Sequence, residues 1–247
     1  MRIDILFSFD KLELPVNYNH IIQSFIIQLI DDAEYRKFVH DEGYKYSNRS
    51  YKMFTFSELT GDFVLDRWHK IIAFSKNVVL TVSSCNEDLI KYCVDSLLFK
   101  DCFELLSQKI YVQKIDYEVE RIEKSEITVK TLSPITVYST VDDCSKKRTV
   151  YFSPHDLRFS ELVGENLIHK YIALYDGDKD IYLSANIKIF PKEEESLRKV
   201  VTRYKGFIVE AWHGVFVIQG DPMLLQIGYD AGFGSKNSQG FGLVKVL

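Results

Sequence analysis

Cysteine, proline and glycine are sparse in this chain of 247 residues, and no sign of charge dominates it. The four cysteines, Cys85, Cys93, Cys102 and Cys144, form no C-x-x-C pair, and none has a histidine at metal-site spacing. That excludes a disulfide framework and a zinc knuckle and reads as free thiols in a reducing compartment. Lys and Arg number 31 against 35 Asp and Glu, a net charge of −4. The overall basic balance of a nucleic-acid-binding domain is therefore missing, although a local basic groove can sit on an acidic protein. No apolar run approaches the ~18 residues of a spanning helix. The start, MRIDILFSFD, lacks a basic segment followed by an apolar core, so no secretory signal is read there. A soluble, cytoplasmic protein without a membrane partner is expected. Low-complexity segments and short solenoid repeats are absent as well.

Aromatic residues, by contrast, are plentiful, with fifteen Tyr and seventeen Phe, enough for substantial cores. The length suits one large domain or two of about 120 residues. Residues 1–9 alternate as a strand, and residues 19–33 have helical spacing, with Asn19 as the expected N-cap. A short helix over 34–43 ends at Gly43, and a strand follows from Met53. HKIIAFS and VVLTVSS read as a hairpin around Lys76 and Asn77. A helix from Asn86 has an acidic first turn, and KIYVQKIDYEVERI is a long strand. Strand, helix, strand, strand, helix, strand is the split βαβ, ferredoxin-like order. The second half repeats it with decorations. Strands lie on both sides of Ser133-Pro134 and over KRTVYFS. A helix runs from Pro154 to Tyr175, interrupted near Gly164, and strands follow in IYLSANIKIF, at 200–204 and in FIVEAWHGVFVIQG. A helix opens at Asp221-Pro222, and GFGLVKVL is the last strand. The expected fold class is α+β, with two tandem ferredoxin-like (RRM-like) domains whose antiparallel sheets carry helices on one face. The charged segment RIEKSE sets the boundary, giving residues 1–123 and 124–247.

Four of the twelve glycines crowd into GFGSKNSQGFG, residues 232–242. No Walker lysine follows at the right offset. The stretch leaves a helix and enters a strand, the reverse of a dinucleotide fingerprint. Two readings remain. One is a helix cap with a bulged strand entry. The other is a loop whose Gly232, Gly234, Gly240 and Gly242 let backbone N–H groups approach phosphates, with donors added by Lys236, Asn237 and Ser238.

A second concentration surrounds His40. From 36 to 52 there are five basic residues, Arg36, Lys37, Lys45, Arg49 and Lys52, against Asp41 and Glu42. Tyr35, Tyr44, Tyr46 and Tyr51 interleave with them, a pattern that holds single-stranded nucleic acid by charge and stacking. His213 reads as a hydrogen-bonded strand residue and His20 as a surface group of the first helical turn, while His69, His155 and His169 have no evident partner. No pair has metal-ligand spacing, and no G-x-S-x-G or Cys/His pair is present. The acidic run at 192–199 reads as a solvated turn or helix face. Arg203 and Lys205, after it, are candidates to track phosphates.

GYDAGFGSKNSQGFGLVKVL resembles the C-terminal glycine-rich signature of the CRISPR-associated endoribonucleases that process precursor CRISPR RNA, members of the repeat-associated RAMP superfamily. EAWHGVFVIQGD is similar to that family's strand before the last helix. NHIIQSFIIQLI and FVHDEG…YKMFTFSEL are similar to its first helix, catalytic-histidine loop and following strand. The resemblance implies cleavage within CRISPR repeat RNA without a metal or other cofactor, leaving a 2′,3′-cyclic phosphate and a 5′-hydroxyl. It places the catalytic histidine at His40 and the catalytic lysine at Lys52. The first-helix tyrosine of several relatives falls on Ile27, a departure. Tyr46 or Tyr44 is left to serve, with Tyr46 the candidate carried forward. Effector-complex subunits and a homodimer are further partners that it leaves open. A non-catalytic RNA-binding subunit of the same superfamily is the alternative reading. A small-ligand-binding or scaffold protein of ferredoxin-like fold stands outside both.

Overall fold

The alternation of Ile3, Ile5 and Phe7, all buried, makes β1 (Arg2–Ser8) the centre of the first sheet. The computed structural model describes residues 1–143, 146–175 and 186–247. After β1 come β2 (Leu12–Pro15), α1 (Asn19–Gln28), α2 (Ala33–Lys37), a single π turn (Phe38–Glu42), β3 (Tyr44–Tyr46), β4 (Arg49–Tyr51) and β5 (Phe54–Phe56). Next are β6 (Phe63–Asp66), β7 (Ile71–Phe74), β8 (Val78–Ser84), α3 (Glu87–Phe99), β9 (Cys102–Leu105) and β10 (Gln108–Glu118). The sheet order β5-β8-β1-β10-β9 is antiparallel throughout. Without the edge strand β9 it is the ferredoxin-like arrangement. Both α1, through Ile22, Phe25 and Ile26, and α3, through Leu89, Ile90, Cys93 and Leu97, bury their apolar faces in this half's core. Each such side chain contributes roughly 1.5–3 kcal/mol.

The second half repeats the plan. It comprises β11 (Glu126–Thr131), β12 (Tyr138–Asp143), β13 (Lys146–Tyr151), α4 (Leu157–Tyr175), β14 (Lys188–Pro191), β15 (Arg198–Tyr204), β16 (Phe207–His213), β17 (Val215–Gln219), α5 (Pro222–Ala231) and β18 (Val244–Val246). Its sheet, β14-β17-β11-β18, has the same order, and the hairpins β12-β13 and β15-β16 are insertions in it. Helices α4 and α5 supply Phe159, Val163, Leu167, Leu224, Leu225 and Ile227 to the second core. The two halves are thus tandem ferredoxin-like units, as the element order implied. Asn86 caps its helix as expected, its Oδ1 accepting from Asp88 N–H, and Asp221 Oδ1 accepts from Met223 N–H ahead of Pro222's helix, each at 2.8 Å.

Several expectations are corrected. Strands β7 and β8 do not form a hairpin. β7 pairs with β2 and β6, whereas β8 pairs with β1 and β5, so residues around Lys76 carry the chain from one sheet to another. The first helix ends at Gln28 rather than 33, because Asp32 caps α2 by accepting from Tyr35 N–H at 2.7 Å. Asn19 is not an N-cap. Tyr18 holds that position, and the Asn19 side chain donates instead to Gln239 O and Gly240 O at 3.0 and 3.3 Å. Helix α4 runs through Gly164 without a break. A Cβ there would stand 3.3 Å from Ile187 Cβ, so the glycine permits close packing. The strand read over 207–220 is two strands parted at Gly214, and only the second half of IYLSANIKIF lies within the described residues, where it forms β14. Cys144 lies outside the described residues; Cys85, Cys93 and Cys102 are free thiols.

Contacts between the halves are specific. The buried Arg2 guanidinium donates to Tyr229 O and Val244 O at 3.2 and 2.9 Å and lies 4.1 Å from the centre of the Tyr229 ring. Thr55 Oγ1 donates to Phe241 O at 2.9 Å. His213 is held by Thr131 Oγ1 at 3.0 Å and Glu58 at 3.3 Å, a strand histidine with partners, as expected. Among the described residues no helix is long and apolar enough to cross a membrane.

Candidate ribonuclease site

His40 sits on the π turn between α2 and β3, a local geometry common at functional sites. Gly43 closes it. Its N–H donates to Phe38 O at 2.7 Å, and its φ of +68° is open to glycine. A Cβ at that position would stand 2.6 Å from Tyr51 O. The His40 side chain is 63% exposed, and its Nδ1 lies 2.6 Å from Asp41 Oδ1. That hydrogen bond, with help from the nearby charges of His40, Lys37 and Lys52, holds the Asp41 carboxyl below the usual carboxylate range. Asp41 is therefore anionic at neutral pH and can orient the imidazole, leaving Nε2 to a substrate.

Lys52 follows β4, just before Met53, whose φ of +55° bends the backbone between β4 and β5. The bend is pinned by Ser84 Oγ and Cys85 N–H, both donating to Met53 O, at 2.8 and 3.1 Å. The Lys52 Nζ is buried and has no hydrogen-bond partner among the described residues. Burial pushes its amine below the ordinary lysine value, opposed by the carboxylates of Asp41 and Glu42. An ammonium so placed has its hydrogen-bonding capacity free for a phosphate oxygen.

The candidate tyrosines separate. Tyr44 accepts a hydrogen bond from Asn86 Nδ2 at 2.7 Å. The Tyr46 ring packs against His169 of α4, 4.9 Å between centroids. Burial, and then the charge of Arg49, lowers the pKa of His169. His69 and His155 also have partners the sequence did not show, Asp66 at 2.7 Å and Glu194 at 3.4 Å.

A cleft of about 600 Å³ joins the halves, lined by residues 49–54 on one side and by α4, β12 and residues 235–239 on the other. It brings together Lys52, Lys236, Asn237 and Ser238; His40, Tyr46, Arg203 and Lys205 are not on its wall. Arg203 and Lys205 lie at the turn of β15-β16. That hairpin meets α1 through the Tyr204 hydroxyl, which donates to Gln23, and meets Asn17 through Thr202 and the Arg203 N–H. The four glycines are also off the wall. All four have φ between +73° and +90° and are buried. A Cβ on Gly242 would stand 2.0 Å from Phe233 O, and one on Gly240 2.6 Å from the Phe56 ring. Their freedom folds the loop tightly onto the protein and turns Lys236 and Ser238 to the cleft. Lys236 Nζ lies 4.9 Å from the centre of the Tyr138 ring, and burial lowers its pKa. Asn237 is an internal tie: its Nδ2 donates to Phe233 O and Phe241 O, at 3.1 and 3.0 Å.

Sequence reasoning missed Lys170. It is buried on α4 and donates to Gly232 O at 2.6 Å and Asn237 Oδ1 at 2.7 Å, so it holds the glycine loop from below. Its only sequence signal is a lysine inside the apolar run LIHKYIAL. Burial pushes its amine down to about 7 from the ordinary 10.5. Between those values the unfolded chain binds a proton that the folded chain does not, so this group's contribution to stability rises with pH. From pH 7 to 10.5, the unfolding free energy of the wild type should gain roughly 3–5 kcal/mol on that of Lys170→Met. Urea unfolding at stepped pH measures it, and a difference independent of pH contradicts it.

The description "CRISPR associated protein Cas6, C-terminal" matches residues 115–246, more than half of the chain. The chain belongs to the Cas6 family. A Methanocaldococcus jannaschii relative named CRISPR-associated endoribonuclease Cas6 1 is 28% identical over 99% of this chain and 92% of its own. A Pyrococcus furiosus relative named CRISPR-associated endoribonuclease Cas6 is 27% identical over 95% and 84%. A solved structure titled CRISPR associated protein Cas6 superposes with a TM-score of 0.77 at 27% identity, covering 100% of this chain and 99% of its own. Another, of a Cas6-related gene from Pyrococcus furiosus, reaches 0.83 at 24% identity, with coverage of 100% and 98%, and supports the shared fold.

Proposed function

We propose that this Cas6-family chain is an endoribonuclease that cuts within CRISPR repeat RNA to release guide RNAs. The observation that carries the reading is the cleft whose wall holds Lys52, its buried Nζ without a hydrogen-bond partner among the described residues, together with Lys236 and Ser238 of the glycine loop. The RNA's own 2′-hydroxyl is the nucleophile and is already close to the phosphorus, so orientation supplies much of the acceleration. The 2′-oxygen loses its proton, the bond from phosphorus to the 5′-oxygen breaks, and that oxygen takes up a proton. The products are a 2′,3′-cyclic phosphate and a 5′-hydroxyl, with no metal required. His40, oriented by Asp41, performs one of the two proton transfers. Lys52 neutralises charge building on the phosphoryl oxygens. Tyr46, in the loop that follows His40, is the tyrosine proposed to assist.

Lys236 and Ser238 place the RNA, with Arg203 and Lys205 extending the basic track along the β15-β16 hairpin. Asn237 and the glycines at 232, 234, 240 and 242 serve that binding by fixing the loop's shape. The same reading puts the protein in the cytoplasm, with effector-complex subunits or a second copy as further partners. Repeat-RNA affinity measured at stepped salt concentrations tests it. Several phosphate contacts give a log–log slope of about −0.7 per phosphate neutralised on a single strand. A flat slope removes the RNA-binding reading, and a steep slope without cleavage leaves the non-catalytic subunit.

A further inference from the structure

Residues 158, 162, 166 and 170 of α4 are four apart, so they share one helix face, and all four line the cleft. Three have partners within the protein. Arg158 pairs with Glu161 at 2.8 Å and Glu165 at 3.1 Å. Leu162 packs against the second core. Lys170 holds Gly232 O and Asn237 Oδ1. Asn166 is only 6% exposed, and its Oδ1 is buried with no hydrogen-bond partner among the described residues. The Gln239 Oε1, on the loop wall of the same cleft, is also buried and unpartnered among the described residues, as are the Lys52 Nζ and the Tyr51 hydroxyl. Buried polar atoms are nearly always paired, so a group of unpaired ones around one cleft calls for a ligand.

The chemistry of the two amide oxygens and the ammonium narrows that ligand. A phosphate answers the ammonium but has no hydrogen to give an amide oxygen. Within RNA, a ribose 2′-hydroxyl or the exocyclic amino group of a base does. An amide side chain presents an acceptor beside a donor, which matches an amino group beside an acceptor ring nitrogen, the edge that adenine and cytosine share.

We propose that Asn166 is a base-reading residue, accepting a hydrogen bond from the amino group of one adenine or cytosine of the bound RNA while Lys52 meets a phosphate. The proposal rests on the chain's being an RNA-cleaving protein. It adds a specificity determinant to the cleft.

The test is an analogue scan of a repeat RNA that the protein binds. Each adenosine is replaced in turn by purine riboside, and each cytidine by the 2-pyrimidinone riboside, so that only the amino group is lost. Affinity is then measured for the wild type and for Asn166→Leu. At one position, loss of the amino group should weaken wild-type binding about tenfold to a hundredfold. The same loss should change Asn166→Leu less than about threefold, a coupling that a merely structural role would not produce. If the leucine variant does not fold, Asn166→Ala gives the same comparison. A wild type indifferent at every position, or a penalty that persists in the variant, overturns the proposal while leaving RNA cleavage intact. Failure to bind any repeat RNA overturns both.

Discussion

Replacing His40 by alanine should lower the single-turnover cleavage rate of a repeat RNA by about 10²–10⁴-fold, the usual contribution of a general acid or base, with the dissociation constant moving less than about threefold. The split follows from where the side chain stands. It is largely exposed, it is not on the cleft wall, and its one described hydrogen bond is to the neighbouring Asp41. Its removal takes away neither core packing nor a cleft contact. The ring's exposure also means that folding is spared, so a thermal melt should match the wild type. Asp41→Asn should lower the rate less, because the imidazole remains and only its orienting anion is lost. An unchanged rate for His40→Ala removes His40 from the mechanism, whatever the affinity does.

A single 2′-deoxy nucleotide on the 5′ side of the scissile phosphate should abolish cleavage while leaving binding nearly intact. The missing oxygen is the nucleophile itself, so the expected effect exceeds that of any side-chain change. In the proposed reading Lys52, Lys236 and Ser238 hold phosphate oxygens, which a deoxy substitution does not alter. Lys52→Ala should behave differently from the deoxy substrate, weakening binding and rate together, since in the proposed reading its Nζ holds a phosphate in the ground state and holds it more strongly as charge builds in the transition state. Cleavage of the 2′-deoxy substrate at its normal position would mean that an external nucleophile attacks, and the mechanism falls.

Local chemistry explains which parts of this architecture were readable. Ile3, Ile5 and Phe7 alternate, Asn86 and Asp221 cap helices, and Pro222 stands at a first helical position. All of these are statements about neighbours in sequence, and the structure carries them through. The pairing of β7 and β8 with different sheets is a long-range outcome, and two adjacent strand-like runs give no hint of it. Gly164 looked like a helix break because its packing partner, Ile187, is far along the chain. The glycine stretch shows the same limit. Its four positive-φ positions are legible as a need for glycine. Whether that freedom serves ligand approach or close packing depends on Phe56 and Thr136, which pack against the loop from elsewhere in the chain, and on how Phe233 folds back within it.

The candidate site divides along the same line. His40 and its basic, tyrosine-rich surroundings lie in one stretch of chain, residues 35 to 52, and are legible together. The opposite wall comes from α4 and residues 235–239, and only the fold places it against residues 49–54. A lysine such as Lys170 reads as a surface residue until its burial is known. Asn166 carries no signal at all apart from the row of four-residue steps that ends at Lys170.

The central claim, that this chain cuts repeat RNA by attack of the substrate's own 2′-hydroxyl, is tested most directly by mapping product ends. End-labelled repeat RNA is incubated with the protein in EDTA, and the termini are assigned by phosphatase and kinase treatment. The account predicts one cut within the repeat, at an unreduced rate in EDTA, with a 2′,3′-cyclic phosphate upstream and a 5′-hydroxyl downstream. A 3′-hydroxyl with a 5′-phosphate, or cleavage only when a divalent cation is supplied, would contradict it.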